Sequence, residues 1–263
     1  MRDLRIVFMG TPDFAVTILK KLVENNCTIV GVITAVDKPA GRGRKLNESA
    51  VKKYATSQGI TILQPPNLKS PAFISELQAL QANLQVVVAF RMLPKAVWNM
   101  PEYGTFNLHA SLLPDYRGAA PIHWAIINGE QKTGVTTFFI DDKIDTGEII
   151  LQKECAIRPD ETVGELHDTL MHLGADLVIE TLVLIKSNKV QTIKQEVKVE
   201  KTASKLAFFL LRKSAKLASA VSDLFKIVDM LSMSCLFTFS FMGLKFFVGG
   251  EIADIMPNLL AFC

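Results

Sequence analysis

Asn107 and His109 are the residues in this chain whose types and spacing speak most directly of chemistry. They stand in Phe106-Asn107-Leu108-His109-Ala110-Ser111-Leu112-Leu113-Pro114, where a strand runs into a loop. Along an extended backbone residues i and i+2 project to one side, so an amide and an imidazole converge on a single reacting atom. In a parallel α/β sheet the carboxyl end of such a strand opens into the crevice where ligands are held. A second reading stays open on these residues alone, since an Asn or His at a strand end also serves as a turn former or a hydrogen-bonded structural residue.

The segment Asp37-Lys38-Pro39-Ala40-Gly41-Arg42-Gly43-Arg44-Lys45 sets four cations in nine residues on a flexible, glycine-punctuated stretch directly after a strand. Such a loop suits phosphate groups, and an ordinary solvated loop is the alternative. Gly41-x-Gly43 is not a dinucleotide fingerprint, because no helix is opened by it, and NAD is set aside. In Asp141-Asp142-Lys143-Ile144-Asp145-Thr146-Gly147, the residues by themselves read as a turn: Asp145 before Thr-Gly, with Asp141 and Asp142 at a solvated tip. The cysteines Cys27, Cys155, Cys235 and Cys263 are scattered, with no C-x-x-C pair, which argues against a disulfide framework or a zinc site. His167 and His172 are five apart, the wrong spacing for a shared metal, and His123 receives no role.

The elements that must position these residues follow a βα rhythm. Leu4 to Met9 reads as a buried strand, with Thr11 as cap, Pro12 at the first helical position and Asp13 complementing the helix dipole. Thr28 to Ala35 has the β-branched continuity of a central parallel strand. Ser70 to Gln81 predicts a helix, Leu84 to Ala89 a strand, Gly104 to Leu108 the strand of the opening motif, and Pro121 to Asn128 a short helix. Gly134 to Ile140 and Glu148 to Ile157 read as strands, and Val163 to Leu184 as a one-faced helix. The fold class expected is α/β, a Rossmann-like doubly wound and mostly parallel sheet over residues 1–190.

Beyond that domain the composition breaks. Residues 191–205 read as a linker, since the surrounding stretch Lys186 to Lys205 holds six lysines against two glutamates. Residues 206–263 hold nine of the chain's 16 phenylalanines, and neither Gly nor Pro occurs between Gly174 and Gly243, so a β-rich module is not expected there. A helical or poorly folded tail is expected instead. Met230 to Leu244 is uncharged over 15 residues, short of the roughly 20 that span a bilayer. The net charge of +3 permits a polyanionic partner without demanding one. The short apolar run Ile6 to Met9 is too brief for a signal peptide, and a cytoplasmic location is the expectation.

Five ordered stretches carry a likeness: Phe8 to Ala15, Asp37 to Gly43, Asn107 to Pro114, Tyr116-Arg117-Gly118-Ala119-Ala120-Pro121-Ile122, and Asp145-Thr146-Gly147. From about Leu4 to about Gln195 the chain resembles the 10-formyltetrahydrofolate-dependent formyltransferases. The basic loop points to the branch that formylates initiator methionyl-tRNA. The resemblance implies a catalytic trio of Asn107, His109 and Asp145. Donors from Asn107 and a protonated His109 would stabilise the formyl oxygen's charge as the α-amine attacks, and Asp145 would orient the imidazole or relay a proton through water. It implies folate, as 10-formyltetrahydrofolate, against Phe90, Arg91, Met92 and Leu93, against Ser111, Leu112, Leu113 and Pro114, and beside Asp141 and Asp142. Phe14 would meet the methionine side chain, and Lys38, Arg42, Arg44 and Lys45 the tRNA. No metal, DNA partner or membrane association is expected, and the chain is expected to act as a monomer.

Two departures from the family pattern bear on function. Phe90 and Arg91 stand where the family commonly has tyrosine and glycine, so a backbone that needed glycine's freedom would carry a large cation. The family's tRNA-binding β-barrel has no counterpart after about Thr202, which leaves a replaced module or a frameshifted 3′ end as readings of the tail. Formylation of a small amine, such as a nucleotide sugar or glycinamide ribonucleotide, is the competing activity, and a truncated non-functional product the competing class.

Overall fold

The computed structural model of the chain describes residues 1–40 and 45–196. Arg5–Gly10 forms β1 and Asp13–Glu24 forms α1, so the strand, turn and helix read at the start of the chain are present. The cap differs from the expectation. Pro12, not Thr11, precedes the first turn, in extended backbone at φ −82° and ψ 174°, with no side chain capping the helix. The Pro12 carbonyl accepts from the amides of Ala15 and Val16, a role that needs no amide hydrogen on proline itself.

β2 covers Thr28–Ile33. The basic segment then forms, instead of a plain loop, an antiparallel ribbon of β3, Lys38–Ala40, with β4, Lys45–Asn47. Its base is tied down because Asp37 accepts from both Lys52 Nζ and Gln64 Nε2. Lys52 belongs to α2, Ala50–Ser57, a helix not expected from the sequence and capped by the Ser49 hydroxyl. There follow β5, Ile62–Leu63; α3, Pro71–Ala79; β6, Leu84–Val88; α4, Lys95–Trp98; and β7, Thr105–His109. The described elements end with α5, Pro121–Ile127; β8, Lys132–Phe139; β9, Ile149–Ala156; and α6, Val163–Lys186. The start of α6 is set by a capping box, in which the Thr162 hydroxyl accepts the Glu165 amide and the Glu165 carboxylate accepts the Thr162 amide.

One seven-stranded sheet runs in the order β5-β2-β1-β6-β7-β8-β9. Pairing is parallel from β5 through β7 and antiparallel for β8 and β9, the mostly parallel doubly wound arrangement expected. Alternation along the strands divides the core between two faces. Ile6, Phe8, Val86, Val88, Phe106 and Leu108 pack with α1, α2 and α6. Val7, Met9, Ile33 and Val87 pack with Phe73 and Leu77 of α3 and Val97 of α4. With Phe106 and Leu108 committed to the first face, Asn107 and His109 share the other parity of β7.

The segment expected to begin a linker starts as part of this unit. Ile193 pairs with Ile149 through two backbone hydrogen bonds of 2.8 and 2.9 Å. Among the described residues no helix is long and apolar enough to cross a membrane. The rest of the expected linker, the tail 206–263, Arg42 and Arg44 lie outside the described residues.

Candidate active site

The chain leaves β1, β6 and β7 at the same edge of the sheet, the carboxyl edge at which open α/β sheets hold ligands. After β6 it turns through Ala89 in the left-handed region, at φ 47°. Two clefts adjoin there. One, of about 520 Å³, is bordered by Pro12, Phe14, His109, His123 and His167. The other, of about 640 Å³, is bordered by Arg91, Met92, Leu93, Asp141 and Ile144. Phe90, Asn107, Gly118, Ala119 and Asp145 border both, so the two cavities meet at the two most polar of the expected catalytic positions.

His109 is buried, with its Nε2 2.9 Å from the Tyr116 carbonyl oxygen. A carbonyl oxygen only accepts, so Nε2 carries a hydrogen and Nδ1 is left to other partners. Nδ1 lies 3.8 Å from Oδ2 of Asp145. Tyr116 is anchored in turn, its hydroxyl donating to Glu130 and accepting from Asn128 Nδ2 at 2.9 Å.

Asp145 sits in the left-handed region at φ 54°, an uncommon conformation for a residue other than glycine, and persists because its surroundings over-determine it. The Gly118 amide donates to its Oδ2 at 2.8 Å. Gln195 Nε2 donates to its carbonyl at 3.1 Å and to that of Gly147 at 2.7 Å. Gly147 has no alternative, since a Cβ there would fall 1.6 Å from the Phe139 carbonyl oxygen. Gln195 Oε1 accepts from Arg117 Nε at 3.0 Å and from a terminal guanidinium nitrogen at 2.7 Å.

Asn107, His109 and Asp145 are thus brought together. Phe90, Arg91, Met92, Leu93 and Asp141 border the second cleft. Arg91 does not occupy a glycine-requiring backbone, because the left-handed residue of that turn is Ala89, and its guanidinium donates to the carbonyls of Pro65 and Pro66. Ser111, Leu112, Leu113 and Pro114 border neither cleft. The Ser111 hydroxyl donates to the Asp115 carbonyl, Thr136 and Gln152 bind the loop's backbone, and Leu112 packs on Gly134, so this segment is held against β8 and β9. Asp142 is 3.9 Å from Lys95 on the surface, and Asp141 accepts from Lys143 N and Thr146 Oγ1, shaping its own loop.

Phe14 borders the first cleft and meets His167 edge-on, ring centroids 5.3 Å apart. His167 and His123, given no role from the sequence, therefore border the first cleft. Lys38 is exposed on the ribbon, and Lys45 enters it as backbone of β4. The sequence reading also missed Tyr116 and Gln195. A Lys-rich stretch after a helix gave no signal for the latter, which is brought to these loops beside the Ile149–Ile193 bridge.

The chain is 65% identical over 207 residues to a methionyl-tRNA formyltransferase of Flavobacterium johnsoniae, covering 78% of this chain and 66% of that one. It is 59% identical over 194 residues to a methionyl-tRNA formyltransferase of Bacteroides fragilis strain YCH46, covering 74% and 60% respectively. It therefore spans less than two thirds of the length of these relatives. Among solved structures, it superposes with a TM-score of 0.62 on glycinamide ribonucleotide transformylase 1 from Symbiobacterium toebii, at 19% identity, covering 73% of this chain and 94% of that one. It also superposes at 0.59 on the sugar 3N-formyl transferase WlaRD, solved in the presence of dTDP and 5-N-formyl-THF, at 22% identity, covering 79% and 72%. The family described as formyl transferase matches residues 4–182, a span that holds both clefts' shared residues, and the chain belongs to that family.

Proposed function

We propose that this chain transfers a formyl group from 10-formyltetrahydrofolate to the α-amino group of methionyl-initiator-tRNA. The observation that carries the reading is the meeting of two clefts at Asn107 and Asp145, beside His109. A group transfer between two large substrates needs two entrances and one shared point, and the shared point here holds the donor and the proton carrier. The cleft bordered by Phe90, Met92 and Leu93 takes the folate. The cleft bordered by Phe14 and His167 takes the aminoacyl end, and the ribbon carrying Lys38 faces the tRNA's phosphates. The names of the similar Flavobacterium and Bacteroides proteins support the tRNA acceptor. With such an acceptor the chain acts in the cytoplasm.

In the reaction, a bond forms from the amine nitrogen to the formyl carbon and the bond from that carbon to the folate nitrogen breaks. The amine loses a proton and the folate nitrogen gains one. Asn107 Nδ2 and the protonated Nδ1 of His109 donate to the oxygen that becomes negative in the tetrahedral intermediate. Asp145, held by Gly118 N–H, faces the imidazole and orients it. Tyr116 keeps Nε2 occupied, so the ring presents one nitrogen only. The test is formyl transfer by the purified chain, with charged initiator tRNA, a nucleotide amino sugar and glycinamide ribonucleotide offered in parallel. Transfer to tRNA is expected. Transfer to a small amine in its place overturns the acceptor, and no transfer to any overturns the reading.

A further inference from the structure

The side-chain amide of Gln195 has every one of its hydrogen-bonding positions engaged, and all its partners lie on the two loops that flank His109. Nε2 donates to the carbonyls of Asp145 and Gly147 on one loop. Oε1 accepts two hydrogen bonds from Arg117 on the other, and that arginine stands between Tyr116, whose carbonyl binds His109 Nε2, and Gly118, whose amide binds Asp145 Oδ2. The Ile149–Ile193 pair fixes the backbone two residues earlier, so the amide is delivered in register from outside the sheet. Gln195 borders neither cleft.

We infer that Gln195 is a positioning residue for the reaction proposed above, acting through Asp145 by clamping the 116–118 and 145–147 loops into one frame around His109. The inference rests on that proposed reaction. Its physical basis is the backbone of Asp145, whose left-handed conformation needs external support, and the length of the glutamine side chain, which alone lets one planar group span both loops. A carboxylate at 195 keeps the acceptor for Arg117 but turns an anion onto two carbonyl oxygens, whereas alanine removes both halves.

The experiment compares wild type, Gln195→Ala, Gln195→Glu, Asp145→Asn and the double variant Gln195→Ala/Asp145→Asn. For each, kcat and both KM values in formyl transfer to charged initiator tRNA are measured, folding is checked by far-ultraviolet circular dichroism, and the His109 ring resonances are compared by NMR at one fixed pH. His123 and His167 border the same cleft, so resonance assignment precedes the comparison.

Gln195→Ala is expected to lower kcat on the order of 10-fold to 100-fold, the cost of misplacing a catalytic group by a fraction of its reach, with the folate KM unchanged. Gln195→Glu should lose as much, because donation to the Asp145 loop is the half that matters. In the Asp145→Asn background the same alanine change should cost little, since the group it positions has already lost its charge. In Gln195→Ala the His109 ring resonances should shift as the Asp145 carboxylate moves away from the ring. An unchanged kcat in folded Gln195→Ala, additive losses in the double variant, or unmoved His109 ring resonances overturns the inference. Wild-type inactivity with moved ring resonances overturns the proposed reaction while leaving the clamp in place.

Discussion

The Nε2 atom of His109 donates to the carbonyl oxygen of Tyr116 at 2.9 Å, and this contact decides which ring nitrogen can work. A backbone carbonyl cannot be removed by side-chain substitution, so the ring orientation is built into the chain path after β7. His109→Ala and Asn107→Ala should each lower kcat on the order of 10²-fold to 10³-fold, the usual effect of losing one donor to a developing oxyanion. Folate binding, followed by fluorescence titration, should stay close to wild type, because the lost hydrogen bonds strengthen only after binding. Near-normal turnover in either variant would remove it from the mechanism.

Asp145→Asn preserves an oxygen for the Gly118 amide and removes only the charge that faces Nδ1. The rate should fall, and the pH–rate profile should change with it, since a charge that faces the reacting imidazole has gone. A lower rate with an unmoved profile would leave Asp145 with a purely architectural part.

His167→Ala opens the wall of the first cleft next to Phe14 without touching the second. It should raise the KM for aminoacyl-tRNA several-fold and leave the folate KM alone. Phe14 is the poorer target, because it is buried and its truncation would cost about 3–5 kcal/mol of stability. Equal changes in both KM values for His167→Ala would show that the clefts do not divide the substrates as assigned.

Asp37 is held below the usual carboxylate range, first by its hydrogen bond from Lys52 and next by that from Gln64. The unfolded chain releases this proton at about pH 4, above the pH at which the folded chain does. The carboxylate's contribution to stability is therefore full above that point and disappears as pH falls through the lowered folded value. In urea titrations, wild type should exceed Asp37→Asn at about pH 7, and the gap should close only as the pH is taken below the lowered range in which folded Asp37 is ionised. A gap independent of pH would mean that charge plays no part in tying the ribbon's base to α2.

The Asn107 and His109 pair was legible because strand alternation acts within three residues and needs no tertiary knowledge. The sheet was legible for a similar reason, as unbroken β-branched runs suit strands buried on both faces. What escaped was set by long-range contact. His167 lies 153 residues from Phe14 along the chain and joins it only through the packing of α6 on α1. The helix α2 escaped because only Val51 and Ala55 of its eight residues are buried, too little apolar repetition to register. The hydrogen bonds of the Ser111 to Pro114 backbone with Thr136 and Gln152 also join residues more than 20 positions apart, which no local pattern announces. The cap at Thr11 failed by one position, since extended Pro12 already supplies the carbonyl that opens α1.

Gln195 lies 13 residues past the end of the span that the family shares, at residue 182. A chimera joined at that seam would inherit Asn107, His109 and Asp145 intact and exchange the amide that braces them for whatever the donor chain supplies. Recombination between relatives at such a junction would then preserve every reacting group while degrading the turnover of the hybrid. The segment needed to carry this site whole would be longer than the matched span, reaching at least to the residue that closes the frame.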